Sequence, residues 1–223
     1  NEQEMNKFRE VVLPYIYDEL RSRGAEPITC VSYGPRQIVC RKPIKTLADL
    51  KGLKIRSGGS LQDAYLRLWG AVPTFVVWAE VYPAAQRGIV DGIMTATLAI
   101  EQVKAYEVCP YFFKIGGPLM HQYICVSKRA WNKLSKENQD AILKVAAEWK
   151  KLWDQKVMHE LDESALKRML DKGQIKSVTV MSQEERIKTR EQLMPILKDY
   201  VKKHMQPNGP EAFAKALKAL GLE

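Results

Sequence analysis

Apolar residues along the chain repeat with two different periods. Met5, Phe8, Val12, Tyr15, Ile16 and Leu20 recur close to the helical period, which predicts a helix over residues 3–22, kinked at Pro14 and stopped by Gly24. Short β-rich runs follow. Residues 28–32 and 37–40 read as two strands around a turn at Gly34-Pro35, and Thr46 with Asp49 caps a short helical turn. A strand from Leu53 ends at Arg56. Ser57, Gly58 and Gly59 break it, and residues 61–69 read as a helix closed by Gly70. Residues 72–77 are β-rich but broken by Pro73, and 80–87 form a short helix ended by Gly88. A strand at 89–94 contains Gly92, a place for close approach of another backbone or a ligand, and 97–106 read as helix. Strand, turn and helix alternate on short connections, the pattern of βαβ units and a mainly parallel sheet.

Strands at 111–115 and 122–127 come next, and then the longest element. No Pro or Gly interrupts residues 136–172, and Ile142, Val145, Trp149, Leu152, Trp153, Leu161, Ala165, Met169 and Leu170 mark an apolar stripe. Such a helix is roughly 55 Å long, more than the width of one small domain, so it is expected to cross between two bodies. A strand at 177–181, a helix capped by Ser182 and Glu185 and interrupted at Pro195, and a last helix over 210–220 complete the pattern.

Composition narrows the function. With 46% hydrophobic and 27% charged residues, the 223-residue chain has the make-up of an ordinary globular protein with a real core. The net charge of +9 admits an anionic ligand, an anionic surface or nucleic acid. The basic residues are interleaved with Glu and Asp along helices, without a basic tail or a nucleic-acid motif, so nucleic acid is not expected. Cys30, Cys40, Cys109 and Cys125 are widely spaced, which argues against a thiolate metal site; no metal and no cofactor are expected. Three disulfide pairings are possible, and Cys30 with Cys40, flanking the Gly34-Pro35 turn, is the favoured one. The histidines 121, 159 and 204 lie far apart, and no nucleophile, phosphate-loop or metalloprotease motif is present.

What remains suits binding. Arg56 ends a strand and precedes glycines and a helix, so a planar fork of donors stands beside a positive helix end. The glycines are expected to aim the arginine and start the helix. Arg36 could share one cleft with Arg56 if their strands are neighbours. Phe75, Trp78, Tyr82 and Trp69 offer aromatic walls, with Trp69 better placed in the core and Trp78 at a pocket. Thr95 and Thr97 offer hydroxyls at a strand end, where clefts of α/β sheets lie.

The ordered motifs carry a resemblance. Pro43-Ile-x-Thr-x-x-Asp-Leu-Lys-Gly-Leu-Lys-Ile-Arg56 precedes Trp69-Gly-Ala-x-Pro-Thr74, Trp78-Ala-Glu-Val-Tyr82, Ala85-Gln86-x-Gly88 and Val90-Asp-Gly92. In register from Pro43 to Gly92, and on through the long helix, the chain resembles the extracytoplasmic solute-binding subunits of TRAP transporters, typified by dicarboxylate and sialic-acid receptors. The resemblance implies an α/β, two-domain, periplasmic-binding-protein-like architecture that closes on its ligand by hinge motion. Residues 1–33 and 121–160 would belong to domain I, residues 34–120 and 161–223 to domain II, and helix 136–172 would span both. It implies a monomeric periplasmic receptor, not an enzyme, that hands an organic acid to membrane permease subunits. Arg56 is the matched carboxylate-binding residue, Arg36 in Gly34-Pro-Arg36-Gln a second arginine, and Trp78 a pocket wall. Thr95 stands where many members place Asn or Glu. Relatives of this type carry further strands of domain I ahead of the position of Asn1. An enzyme on a two-domain α/β scaffold acting on an anionic substrate, and a ligand-sensing receptor, are the rival readings.

Overall fold

The structure, a computed structural model, describes residues 2–156, 162–205 and 207–222. Helix α1 (Glu2–Ser22) opens the chain and runs through Pro14, and Gly24 ends it. Strand β1 (Ala25–Cys40) follows as one uninterrupted strand. The expected turn at Gly34-Pro35 does not form. Gly34 has φ of 88°, a left-handed value that glycine adopts without penalty, and the chain stays extended on both sides of it. Beyond the glycine, Arg36 N–H donates to Pro118 O and Gly117 N–H to Arg36 O, so pairing continues. This also overturns the Cys30–Cys40 bridge. Ten residues of extended backbone separate them, far beyond disulfide reach, and all four cysteines are free thiols.

The remaining elements are β2 (Lys54–Ser57), α2 (Ser60–Leu68), β3 (Val72–Phe75), α3 (Val81–Gln86), β4 (Gly92–Ala96), α4 (Thr97–Gln102), β5 (Tyr111–Lys114) and β6 (Leu119–Ser127), then α5 (Lys128–Trp131), α6 (Lys136–Lys156), α7 (Asp162–Asp171), β7 (Ser177–Val180), α8 (Gln183–His204) and α9 (Gly209–Ala219). Helix α4 stops four residues short of its predicted end, because Lys104 takes φ of 54° and starts a separate short turn. Helix α8 carries Pro195 inside it instead of breaking there. Helices α6 and α7 occupy the predicted long helix; residues 157–161, including His159 and Leu161, lie outside the described residues.

The sheet order is β3-β2-β4-β1-β5-β7, with β6 also paired to β1. Strands β2, β3 and β4 run parallel, as do β5 and β7, while β1 is antiparallel to both β4 and β5. The sheet is therefore mainly parallel with one reversed strand at its centre. Pro73 is tolerated because β3 is an edge strand. Alternation sends Ile38, Cys40, Ile55, Met94 and Phe113 to one face, covered by Leu66 and Trp69 of the α2 segment. Val39, Ile93 and Phe112 point to the other, covered by Val81, Ala85, Ile100 and Met169. The fully buried Val, Leu, Ile, Phe and Met side chains among them each contribute about 1.5–3 kcal/mol of transfer free energy.

The chain divides into two units. One holds residues 1–32, 121–155 and 195–223, the other residues 33–120 and 156–194. Residues 195–223, expected in the second domain, group with the first. Helix α9 packs on α1, with the Phe8 and Phe213 rings edge to face at 6.4 Å and Tyr15 OH donating to Glu211 at 3.3 Å.

Candidate functional site

Arg36, Arg56, Phe75, Thr95 and Trp78 all lie in the second unit, the first four on the adjacent strands β1, β2, β3 and β4 and Trp78 in the short turn that follows β3. Strand β2 begins where Asp91, of the Val-Asp-Gly motif, accepts the Lys54 N–H at 2.9 Å through its carboxylate, while the Asp91 N–H donates to Lys54 O. This double tie fixes the register that sets Ile55 opposite Gly92 and Arg56 opposite Ile93. On the other side of β2, Arg56 faces Thr74 and Ser57 faces Phe75. Across β4, Arg36 faces Ala96 and Gln37 faces Thr95. Arg36, Arg56, Phe75 and Thr95 thus converge on the carboxyl edge of the parallel strands β2, β3 and β4. Their strands do not bring the two arginines side by side. Strand β4 lies between, and by alternation Arg56 leaves the sheet on the Ile93 face and Arg36 on the Ile38 face.

Arg56 is only 7% exposed. Its Nε–H donates to the Val76 carbonyl at 3.0 Å, and its Cζ lies 5.4 Å from the centre of the Trp78 ring, a cation–π contact worth about 0.5–2 kcal/mol. No acidic side chain among the described residues pairs with Arg56 or Arg36. Burial lowers the pKa of Arg56, and the positive charge of Arg36 lowers it further. Burial likewise lowers that of Arg36, and its Nε is buried without a hydrogen-bond partner. Two desolvated arginines thus stand at one sheet edge, the charge of one lowering the pKa of the other.

The aromatic residues separate. Phe75 is 67% and Trp78 44% exposed, so both present ring surface at this edge. Trp69 is buried, donates its indole N–H to Thr189 Oγ1 at 3.1 Å and meets Tyr65 edge to face, which is core packing. Tyr82 donates its hydroxyl to Glu107 at 2.6 Å. Thr95 and Thr97 are buried. Among the described residues no cluster of His, Cys, Asp and Glu could hold a metal, and no helix is long and apolar enough to cross a membrane.

Two contributors escaped the sequence reading. The Val76 carbonyl that holds Arg56 is a main-chain group and leaves no residue-type signal. Gln62 accepts the Gly58 N–H at 2.8 Å, one residue before the cap position Gly59, and the Gly59-x-x-Gln62 spacing, that of a capping box with glycine in the cap, is a signal that could have found it. That bond occupies one of the donors an anion would have used at the start of α2, so the turn does not cradle a ligand through Gly58.

Comparison with known proteins identifies the family of the chain. The family described as Bacterial extracellular solute-binding protein, family 7, matches residues 1–204. A solute-binding protein of Sulfitobacter sp. (strain NAS-14.1) is 30% identical over 193 residues, 85% of this chain and 57% of its own length. The sialic acid-binding periplasmic protein SiaP of Vibrio cholerae is 34% identical over half of this chain and 35% of its own. The chain therefore spans about half, or less, of the length of such relatives. A TRAP periplasmic solute-binding protein of Desulfovibrio salexigens, solved with bound orotic acid, superimposes with a TM-score of 0.90 at 22% identity, over 99% of this chain and 71% of that one. The chain belongs to the bacterial extracellular solute-binding protein family 7, the receptor family of the TRAP transporters.

Proposed function

We propose that the protein is a periplasmic receptor that captures an organic carboxylate and delivers it to the membrane permease subunits of a TRAP-type transporter, acting as a monomer and carrying out no chemistry of its own. The observation that carries this reading is Arg56. It is a nearly buried guanidinium tied at Nε to the Val76 carbonyl, with no acidic partner among the described residues. A guanidinium so held offers its remaining N–H groups as a two-point match for a carboxylate. Arg36 adds a second positive charge at the same edge, Thr95 a hydroxyl, and Trp78 and Phe75 apolar surface for the body of the ligand. Two relatives support an acid as ligand, one named for sialic acid and the other solved with orotic acid. Ligand binding would shift the equilibrium toward a closed form by the extra contacts made there.

The test is Arg56→Ala in the full-length protein. A panel of small acids, orotic and sialic acids included, is screened by thermal shift. An acid at one hundred times its dissociation constant stabilises the wild type by about 2.7 kcal/mol. The variant is expected to lose most of that shift; an undiminished shift removes Arg56 from the site.

A further inference from the structure

Gly58 is not held as glycine by its backbone. It does not take the left-handed φ that only glycine adopts freely. The reason lies in what a side chain would meet. A Cβ at Gly58 would lie 3.2 Å from Arg56 Nη1, 3.3 Å from Nη2 and 3.5 Å from Cζ, so its three nearest neighbours are all guanidinium atoms. Nearly equal distances to the two Nη atoms, with Cζ slightly farther, put that Cβ on the Nη1–Nη2 side of the group and above its plane. The opposite corner, at Nε, is already bonded to Val76 O. The Nη1–Nη2 end is therefore the side a carboxylate would use for a two-point bond, and a side chain at 58 would overhang it closely enough to crowd such a carboxylate. Gly59 is the natural contrast. Its φ of 164° is ordinary extended backbone, and a Cβ there meets nothing within 4 Å.

We infer that Gly58 determines access to the receptor arginine: the missing side chain keeps the Nη1–Nη2 end of Arg56 open to the acid group of the ligand. Residue 58 then selects for ligands that dock end-on to the guanidinium. The inference rests on the reading of Arg56 as the carboxylate receptor.

The experiment compares wild type, Gly58→Ala, Gly59→Ala and Arg56→Lys in the full-length protein. Phenylglyoxal, which condenses with the two Nη atoms of an accessible guanidinium, is reacted with wild type and the two glycine variants, and modification of Arg56 is timed by peptide mass spectrometry. Gly58→Ala is expected to slow that reaction by roughly fivefold or more while Gly59→Ala leaves it unchanged, with thermal midpoints of both close to wild type. Binding of orotate, followed by calorimetry, is expected to weaken about tenfold or more in Gly58→Ala and in Arg56→Lys, the scale of losing one bidentate contact. Equal modification rates in wild type and Gly58→Ala overturn the inference, whether or not an acid binds. Unequal rates combined with acid binding that Arg56→Lys leaves intact keep the open fork and overturn the proposed function instead.

Discussion

At Gly92 the backbone of β4 passes between two neighbours with no room for a methyl group. A Cβ there would lie 2.6 Å from Cys40 Sγ, 2.7 Å from Val39 O and 2.8 Å from Ile55 Cδ1. The carbonyl belongs to the ladder that pairs β1 with β4 and cannot swing aside as a side-chain tip can. Overpacking of this kind costs about 1–3 kcal/mol. Gly92→Ala is accordingly expected to lower the thermal midpoint by several degrees in calorimetry, since about 1 kcal/mol corresponds to roughly 2–4 °C in a domain of this size. A midpoint equal to wild type means that the strands part more readily than the structure shows. The close approach predicted for Gly92 from sequence is real, and it is made by protein atoms. Glycine is thus required at 92 by packing inside the sheet and at 58 by access to Arg56, although a sequence writes both with the same letter.

Pairs of elements carry their own pH dependence. Helices α4 and α7 are joined by Arg168, whose Nε and Nη2 donate to the two carboxylate oxygens of Glu101 at 2.9 and 2.5 Å. The hydrogen bonds from Arg168, and then its charge, hold the Glu101 carboxyl below its ordinary 4.5. A carboxyl whose pKa is depressed in the folded state binds protons more readily in the unfolded chain. Its stabilisation is therefore present above about pH 4.5 and is lost as pH falls through the folded value. Both side chains are partly exposed, so the contribution at neutral pH is about 1 kcal/mol or less. Glu101→Gln is expected to lower the thermal midpoint slightly at pH 7 and to flatten its fall between pH 5 and pH 3; a variant that tracks the wild type at every pH means the pair contributes nothing. This contact joins residues 67 apart in the chain, and no local pattern announces it. The same divide runs through the elements. Strand β2, helix α2 and the Thr46–Asp49 cap follow from local periodicity and capping chemistry, and they were legible, as was the placement of Arg56 at a strand end. Strand β1 was not, because Gly34-Pro35 has the composition of a turn and only pairing with Pro118, Gly117, β4 and β5 keeps it extended. Helix α8 likewise continues past Pro195 although its own sequence supplies a breaker. The carbonyl of Val76 lies below the resolution of any residue-type argument.

Over the whole molecule, the chain passes between its two units four times, after residues 32, 120, 155 and 194. Strand β1 belongs to both, so it cannot stay a strand in one unit while the chain beyond residue 32 unravels without losing partners. The cysteines happen to report on this. Cys30 lies on β1 in the first unit, Cys40 on β1 in the second and Cys109 also in the second, and all three are buried; Cys125 is exposed. Burial raises the pKa of every one of them, pushing Cys109 up to about 12, so buried thiolate is scarce at neutral pH and labelling of these three needs opening of the structure. Brief alkylation of the native protein at pH 8, read by peptide mass spectrometry, is expected to label Cys125 alone, and labelling in denaturant to reach all four with no reductant added. A second alkylated cysteine in the native state contradicts the burial, and a loss of two labels under denaturing conditions reveals a disulfide that the extended β1 does not permit between Cys30 and Cys40. Pulsed labelling across a denaturant series then addresses the shared strand. Cys30 and Cys40 are expected to become reactive at the same denaturant concentration, because β1 is one strand with partners in both units. Reactivity of Cys30 at a clearly lower concentration than Cys40 means instead that the first unit opens while the site-bearing unit stays folded.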